Sequence, residues 1–196
     1  MTFMERMQSL IRWYNRTRIA DFVAPLLLRI YLVPVFWMAG TMKLGSFADT
    51  VEWFGNAEWG LGLPYPYLMA FLATWTEILG AVALAAGVGV RLVTVPLMVT
   101  MLVAMFSVHW TNGWLAIADG ASMASVNLRE ALDLLESSDP GLYEKLTAHG
   151  RPVILNNGIE FAATYFVMLL TLFFTGAGRF LSVDYWVCRR VCPDVA

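Results

Sequence analysis

The chain has 196 residues, of which 59% are hydrophobic and only 14% are charged, with a formal net charge of −2 at pH 7. A soluble globular protein is typically about 45–50% apolar and about 25% charged. This composition excludes an ordinary soluble domain and predicts a chain that faces lipid. The negative net charge argues against a nucleic-acid-binding protein, which needs a basic face.

Residues 1–20 are predicted to form an amphipathic helix lying on the membrane surface. The segment carries four arginines, and its apolar residues recur at helical spacing, which favours binding to an anionic interface. Those apolar residues are Phe3, Met4, Met7, Leu10, Ile11 and Tyr14. The alternative is a plain basic tail. A cleavable signal peptide would need an apolar core soon after its first positive charges, which the segment lacks.

Four stretches are apolar enough to cross a bilayer, whose hydrocarbon core needs roughly 20 residues of helix. They are about residues 22–44, 64–88, 92–110 and 152–176. The short turn Gly87-Val-Gly-Val-Arg91 predicts an antiparallel hairpin of the second and third spans. The predicted fold is therefore all-α, a four-helix transmembrane bundle over residues 21–186, with an N-terminal amphipathic interfacial helix and a tail of residues 187–196.

Two longer connections join the spans. Residues 45–63 are rich in aromatic residues and glycine, which is typical of an interfacial loop. Residues 111–151 are polar and acidic, and residues 126–135 within them are predicted to form a short surface helix. The sequence Ser137-Ser-Asp-Pro-Gly141 then predicts a turn.

Positive charge near the span ends predicts the orientation. Eight basic residues lie in the N-terminal segment, in the turn at Arg91 and after the fourth span. The loops 45–63 and 111–151 contain nine acidic residues and only three basic ones. Both termini are therefore predicted to be cytoplasmic, and both loops to face outward, into the periplasm if the host is Gram-negative.

The two cysteines, Cys188 and Cys192, fall in the predicted cytoplasmic part, where thiols are kept reduced. Their spacing places both on one helical face, which would suit a redox or metal-binding pair. Two thiols fall short of the usual four-ligand soft-metal site, so the plain interpretation is two reduced thiols without such a role.

Charged side chains inside a span cost several kcal/mol unless they are paired or hydrated, so each is a functional candidate. Arg29 in the first span and Glu77 in the second lie at similar depths, which predicts an ion pair. The pair is either a cofactor-binding element or a structural lock between two helices. Ala83 and Gly87 in the second span permit close packing within the bundle or between copies of the chain.

A second polar group is predicted at the outward ends of three spans. Its members are Lys43, His109, Trp110, Asn156, Asn157 and Glu160. Facing helices build pockets from such side chains, so Glu160, His109 and Lys43 are candidate catalytic residues. Trp110 and the two asparagines are candidate cofactor-binding residues. The structural alternatives are a snorkelling lysine, an aromatic belt and hydrogen bonds across helices.

Glu160 is placed about two turns inside the fourth span, between apolar neighbours, where a carboxylate could handle protons. His109 and His149 are the only histidines, and no metal-ligand spacing accompanies them, so no metal site is predicted. No nucleotide-binding or nucleophile motif occurs either.

Several short motifs, in order and spacing, resemble the DoxX family over residues 24–186. They are Leu28-Arg-Ile-Tyr-Leu32, Gly40-Thr-Met-Lys-Leu44, Thr76-Glu-Ile-Leu-Gly80, Gly87-Val-Gly-Val-Arg91, Val108-His-Trp110 and Thr175-Gly-Ala-Gly-Arg-Phe-Leu-Ser-Val-Asp184. The resemblance implies an inner-membrane four-helix protein with relatives among small subunits of quinone-linked oxidoreductases. A quinone-like cofactor is thus implied by the resemblance alone.

Two further segments are similar to a narrower HvfX-type subgroup: Trp53-Phe-Gly-Asn-Ala-Glu-Trp-Gly-Leu-Gly-Leu-Pro64 and Leu155-Asn-Asn-Gly-Ile-Glu-Phe161. That similarity implies a role in maturation or homeostasis of a copper-binding ribosomal peptide, with copper held by a partner. The predicted outward loops lack cysteine, which argues against thiol–disulfide chemistry on that side.

Two functional hypotheses follow. In the first, the protein is a membrane redox component, and Glu160 or His109 exchanges protons with a quinone-like ring entering from lipid. Lys43 would stabilise developing negative charge and Trp110 would pack on the ring. In the second, the protein is a non-catalytic anchor or chaperone whose acidic loop 111–151 recruits a partner enzyme or the metallopeptide.

Overall fold

The computed structural model describes residues 4, 6–8, 10 and 20–191, and within them the chain is mainly helical and has no β-strand. It divides into two compact units, Met1–Thr100 with Tyr165–Ala196, and Met101–Thr164. Most of the predicted amphipathic helix over residues 1–20 lies outside the described residues, as does Cys192.

Residues 20–191 form eight α-helices in chain order. They are α1 Val23–Gly45, α2 Phe47–Gly55, α3 Pro66–Ala86, α4 Val90–Val103, α5 Met123–Ser138, α6 Pro140–Thr147, α7 Glu160–Thr175 and α8 Val183–Val191. Helix α4 continues as a π-helical turn, Ala104–His109, and a short 3₁₀ turn, Trp110–Asn112.

Three helices are long and apolar enough to cross a membrane: α1, α3 and the continuous helix Val90–Asn112. Their ends agree with the first three predicted spans to within two residues. The fourth apolar helix, α7, has only 16 residues. At 1.5 Å per residue it is about 24 Å long, which is shorter than a hydrocarbon core of about 30 Å. The predicted count of four full-length spans is therefore not confirmed.

Small residues allow the long helices of the first unit to approach closely. A Cβ atom on Gly40 of α1 would lie 2.7 Å from Cγ1 of Ile78 in α3. A Cβ atom on Gly80 of α3 would lie 2.8 Å from Leu97 of α4. Leu97 is fully buried there, as is Phe36 of α1. These contacts form the apolar core between α1, α3 and α4.

The outer faces of the same helices carry large apolar side chains. The exposed ones include Leu27, Ile30, Met38, Leu79, Leu92 and Val99. A surface of this composition is unfavourable in water and favourable in lipid. Together with the lengths of the helices, it makes this chain a membrane protein.

The predicted loop 45–63 contains a helix, α2, which occupies its first half. In the second unit, the predicted helix over residues 126–135 is longer and runs from Met123 to Ser138. Side chains cap both helices of this segment: Ser122 accepts from a backbone N–H of α5, and Asp139 accepts from one of α6. The predicted turn is the short break between them.

Candidate functional site

Lys43 and Glu77 form an ion pair between α1 and α3. The Lys43 ammonium donates to both carboxylate oxygens, at 2.8 Å to Oε1 and 2.6 Å to Oε2. Glu77 is only 4% exposed, whereas the Lys43 side chain is 26% exposed. Close approach of the helices at Gly40, one turn before Lys43, brings the two groups within reach.

The predicted ion pair between Arg29 and Glu77 is wrong. The prediction rested on similar depths along the sequence. Side chains on a helix lean toward that helix's own N-terminus, so on antiparallel helices they lean in opposite directions. Arg29 therefore leans away from Glu77, and Lys43 leans toward it.

Arg29 is only 2% exposed, and four backbone carbonyls accept hydrogen bonds from its guanidinium. Nε donates to Leu84 at 2.7 Å and Nη2 donates to Ala85 at 3.0 Å, both in the last turn of α3. Nη1 donates to Ala177 at 2.8 Å and to Leu181 at 2.9 Å. Four of the five guanidinium N–H donors are thus used. Arg29 thus links the last turn of α3 to the segment after α7.

Asp184 and Ser182 complete the packing at this end of the spans, and neither was predicted as a site residue. The Asp184 carboxylate accepts from the backbone N–H groups of Gly89 at 2.7 Å and Val90 at 3.0 Å. The Ser182 hydroxyl accepts from the N–H of Tyr185 at 3.2 Å and caps α8. The sequence does indicate such an acceptor. No side chain just before α4 can cap the first N–H groups of that helix, so a side chain from elsewhere in the chain must accept from them.

Gly87 ends α3 in a left-handed conformation, with φ of 68°. An added Cβ would lie 2.6 Å from the Ser182 Cβ and 2.7 Å from Nη2 of Arg29. We expect Gly87→Ala to lower the free energy of unfolding by about 2–4 kcal/mol, because it adds overpacking to an unfavourable φ. Thermal unfolding in detergent measures this loss.

Gly89 provides the matched control for that substitution. Its φ is 57°, but an added Cβ would meet nothing within 4 Å. Gly89→Ala should therefore cost only about 1 kcal/mol. Equal losses for the two variants would mean that the close contact around Gly87 does not stabilise the fold.

In the second unit, His109 ends the π-helical turn, and a backbone carbonyl orients its ring. Nδ1 lies 2.9 Å from the carbonyl oxygen of Asn157. A carbonyl oxygen only accepts, so the contact is a hydrogen bond in the tautomer that carries its proton on Nδ1, and Nε2 of that neutral ring has a lone pair. Short π-helical turns are frequent at functional sites. His109 is thus arranged to accept a proton at Nε2.

Three asparagines shape the segment that holds His109. Asn112 Nδ2 donates to the same Asn157 carbonyl at 3.1 Å. Asn156 Nδ2 donates to the carbonyls of Asn112 at 2.7 Å and Leu115 at 2.8 Å. Asn157 has a φ of 58°, which asparagine adopts more readily than most residues. The Asn156 amide and the Asn157 carbonyl therefore position the loop and the imidazole.

Glu160 is the first residue of α7, not an acid two turns inside a span. Residues 152–159 are not helical, because the positive φ at Asn157 breaks the helix and the backbone pairs with an earlier segment. The Glu160 N–H donates to the carbonyl of Trp114 at 3.0 Å. Its Oε2 accepts from the N–H of Ala116 at 2.9 Å. Glu160 thus joins α7 to the segment after the 3₁₀ turn.

The predicted outward group is divided between the two units. His109, Asn156, Asn157 and Glu160 are connected through hydrogen bonds within Met101–Thr164. Lys43 belongs to the first unit and has Glu77 as its partner.

Trp110, the remaining member, is 57% exposed, and its ring lies 5.2 Å from that of Phe106, centroid to centroid, at an interplanar angle of 37°. Phe106 is 59% exposed. Within residues 4, 6–8, 10 and 20–191 no three His, Cys, Asp or Glu side chains are grouped to hold a metal ion. Cys188 is half-buried with a free thiol.

Residues 24–110 match the DoxX family model. The matched region runs from the start of α1 to the 3₁₀ turn and includes Arg29, Lys43, Glu77 and His109. Neither the curated proteins nor the solved structures gave a match to this chain. These comparisons support the family domain and not the narrower HvfX-type subgroup.

Proposed function

We propose that this membrane protein, which carries a DoxX domain over residues 24–110, is a redox component that exchanges protons with a quinone-like headgroup at His109. The observation that carries the proposal is the 2.9 Å contact between His109 Nδ1 and the Asn157 carbonyl oxygen. It presents Nε2 as a base near the end of the apolar helix Val90–Asn112, where a lipid-soluble ring can reach it.

The reaction is the oxidation of a quinol, which releases two protons and two electrons. One hydroxyl proton passes to Nε2 of His109 and the other to water, and the two electrons pass to a metal-containing partner protein. His109 then releases its proton to water. A positioned base of this kind contributes about 10²–10⁴-fold to a rate.

Phe106 and Trp110 supply an aromatic surface for the ring. Both side chains are more than half exposed, and Trp110 directly follows His109 in the chain. Offset aromatic contacts contribute about 0.5–1.5 kcal/mol beyond the area that they bury. In this account Lys43 has a structural role with Glu77, and Glu160 holds the loop that carries the Asn157 carbonyl.

The pathway is proposed from residues 53–64 and 155–161, which resemble the HvfX-type subgroup and suggest a copper-binding peptide as the product. The charge distribution supports an orientation with both termini in the cytoplasm of a bacterial cell. A reporter fused at Pro140 should then show a non-cytoplasmic location, and a cytoplasmic signal there would contradict the orientation.

The test is quinol oxidation by membranes that contain the protein and its native partners. We expect His109→Gln to lower the rate about 10²-fold or more, because glutamine provides no base of comparable strength. His149→Gln is the matched control, since it removes the other histidine, which is exposed after α6. Immunoblotting checks that protein levels are equal. An unchanged rate in His109→Gln would contradict the proposal.

A second candidate function is a non-catalytic anchor that recruits a partner. It is favoured by α5, which combines acidic side chains with the exposed apolar residues Met123 and Leu134, 76% and 70% exposed. In that case Leu134→Ser should lower the rate of quinol oxidation at normal protein level, because the partner is no longer recruited, and His109→Gln should not. The same membranes and the same immunoblots distinguish the two functions.

A further inference from the structure

A cavity of about 790 Å³ lies in the first unit where α1 and α4 begin and α7 ends. Its volume is in the range of small-ligand sites. The charged residues that line it are Asp21, Arg91, Arg179 and Asp184, and apolar walls come from Phe22 and Leu92. Because apolar spans begin and end here, the cavity lies at the depth of lipid headgroups.

The Arg91 guanidinium also lines the cavity. Among residues 20–191, no carboxylate forms an ion pair with it. Its Nη2 donates to the carbonyl of Phe174 at 3.2 Å. The remaining guanidinium N–H groups are available, and the side chain is exposed. A guanidinium binds phosphate through two parallel hydrogen bonds, a geometry that suits a phosphodiester.

The two carboxylates of the cavity differ in availability. Asp184 uses one oxygen for each of two backbone N–H groups at the start of α4. Asp21 Oδ2 forms an ion pair with Nη2 of Arg179 at 3.7 Å, which is longer than a hydrogen bond, and both side chains are about half exposed, so the pair is weak and leaves room for a ligand. Asp21 is therefore the carboxylate that a ligand ammonium can reach.

Helix α8 forms one wall of the cavity through Tyr185 and Cys188. Its exposed apolar edge consists of Val183, Trp186, Val187 and Val191. The Arg189 guanidinium lies 5.7 Å from the Trp186 ring centroid. Tryptophan and arginine on a short amphipathic helix are typical of the membrane interface. A lipid at this interface would thus place its headgroup in the cavity and its chains along apolar surface.

We propose that the cavity binds the headgroup of a glycerophospholipid that carries both a phosphate and a primary ammonium. The phosphate is bound by Arg91 and the ammonium by Asp21. The lining contains two guanidiniums and two carboxylates, and this balance favours a zwitterionic headgroup over a purely anionic one. Burial of the acyl chains against Leu92, which is 80% exposed, adds to the affinity.

Native mass spectrometry of the full chain in detergent tests the proposal, with dioctanoyl-phosphatidylethanolamine as the probe. We expect Arg91→Gln to weaken binding about tenfold or more, since a charge-assisted hydrogen-bond pair is lost. Arg190→Gln is the control: Arg190 is exposed on α8, does not line the cavity, and should leave binding unchanged.

Arg91→Gln removes the hydrogen bond to the Phe174 carbonyl as well as the contact with the lipid. A second variant therefore separates headgroup recognition from folding. Asp21→Asn keeps that contact and should weaken phosphatidylethanolamine binding without weakening dioctanoyl-phosphatidylglycerol binding. Melting in lipid-free detergent should be unchanged in Asp21→Asn.

Three results would overturn the proposal. They are equal affinity of the unaltered chain for phosphatidylglycerol and phosphatidylethanolamine, equal loss of lipid in Arg190→Gln and Arg91→Gln, and occupation of the site by inorganic phosphate at the concentration where the lipid binds. The last result would identify free phosphate as the ligand.

Discussion

Replacing Lys43 with methionine should lower the free energy of unfolding by about 3–5 kcal/mol, because it leaves a buried carboxylate without its cation. Glu77 is 4% exposed, and the Lys43 ammonium donates to both of its oxygens. Unfolding in mixed micelles with increasing sodium dodecyl sulfate measures the loss through the helix content.

Two further variants define what that result means. Combining Lys43→Met with Glu77→Leu removes both charges and should recover most of the lost stability, because no unpaired ion remains. Lys145→Met changes the only other lysine, which is exposed on α6, and should cost less than about 0.5 kcal/mol. A loss for Lys43→Met as small as that for Lys145→Met would show that the ion pair does not hold α1 to α3.

Replacing Arg29 with methionine should prevent accumulation of folded protein. Four carbonyls lose their donor, and each buried acceptor without a partner costs about 1–3 kcal/mol. Arg29→Lys should be intermediate, because an ammonium has three donors and cannot reproduce the planar fork of the guanidinium. The yield of monodisperse protein and its melting temperature in detergent are the measurements.

Arg129→Met is the control for Arg29. Arg129 also donates to a carbonyl, that of Gly120 at 2.7 Å, but it binds only this one and is exposed. We expect normal yield and a loss below about 1 kcal/mol. Normal yield of Arg29→Met would mean that the end of α3 does not need the guanidinium.

The first three spans could be predicted from the sequence because a long apolar run is a strong local signal. The same signal places the start of the fourth span too early, because the apolar run begins before the helix does. Residues 152–159 contain apolar side chains, but hydropathy does not register the left-handed backbone at Asn157 or the pairing with an earlier segment. Helix α7 therefore begins at Glu160, eight residues later than the apolar pattern predicts.

The sequence singles out Arg29, Lys43 and Glu77 as charged residues of the spans, but the partner it predicts for Glu77 is wrong. Glu77 pairs with Lys43 rather than with Arg29 because side chains on antiparallel helices lean in opposite directions. The contact of His109 with Asn157 joins residues 48 positions apart. Asn157 also lies outside the stretch that matches the DoxX model. Neither periodicity nor the family match can therefore supply the orientation of the imidazole.

The tautomer of His109 tests the proposed function most directly. The chain has only two histidines, so nitrogen-15 NMR of the His149→Gln protein labelled at histidine reports on His109 alone. We predict a protonated Nδ1 and an unprotonated Nε2 in the neutral ring, with the Nε2 resonance shifting when a short-chain quinone is added. A protonated Nε2 with a bare Nδ1, or a resonance that does not respond to the quinone, would contradict proton exchange at this residue.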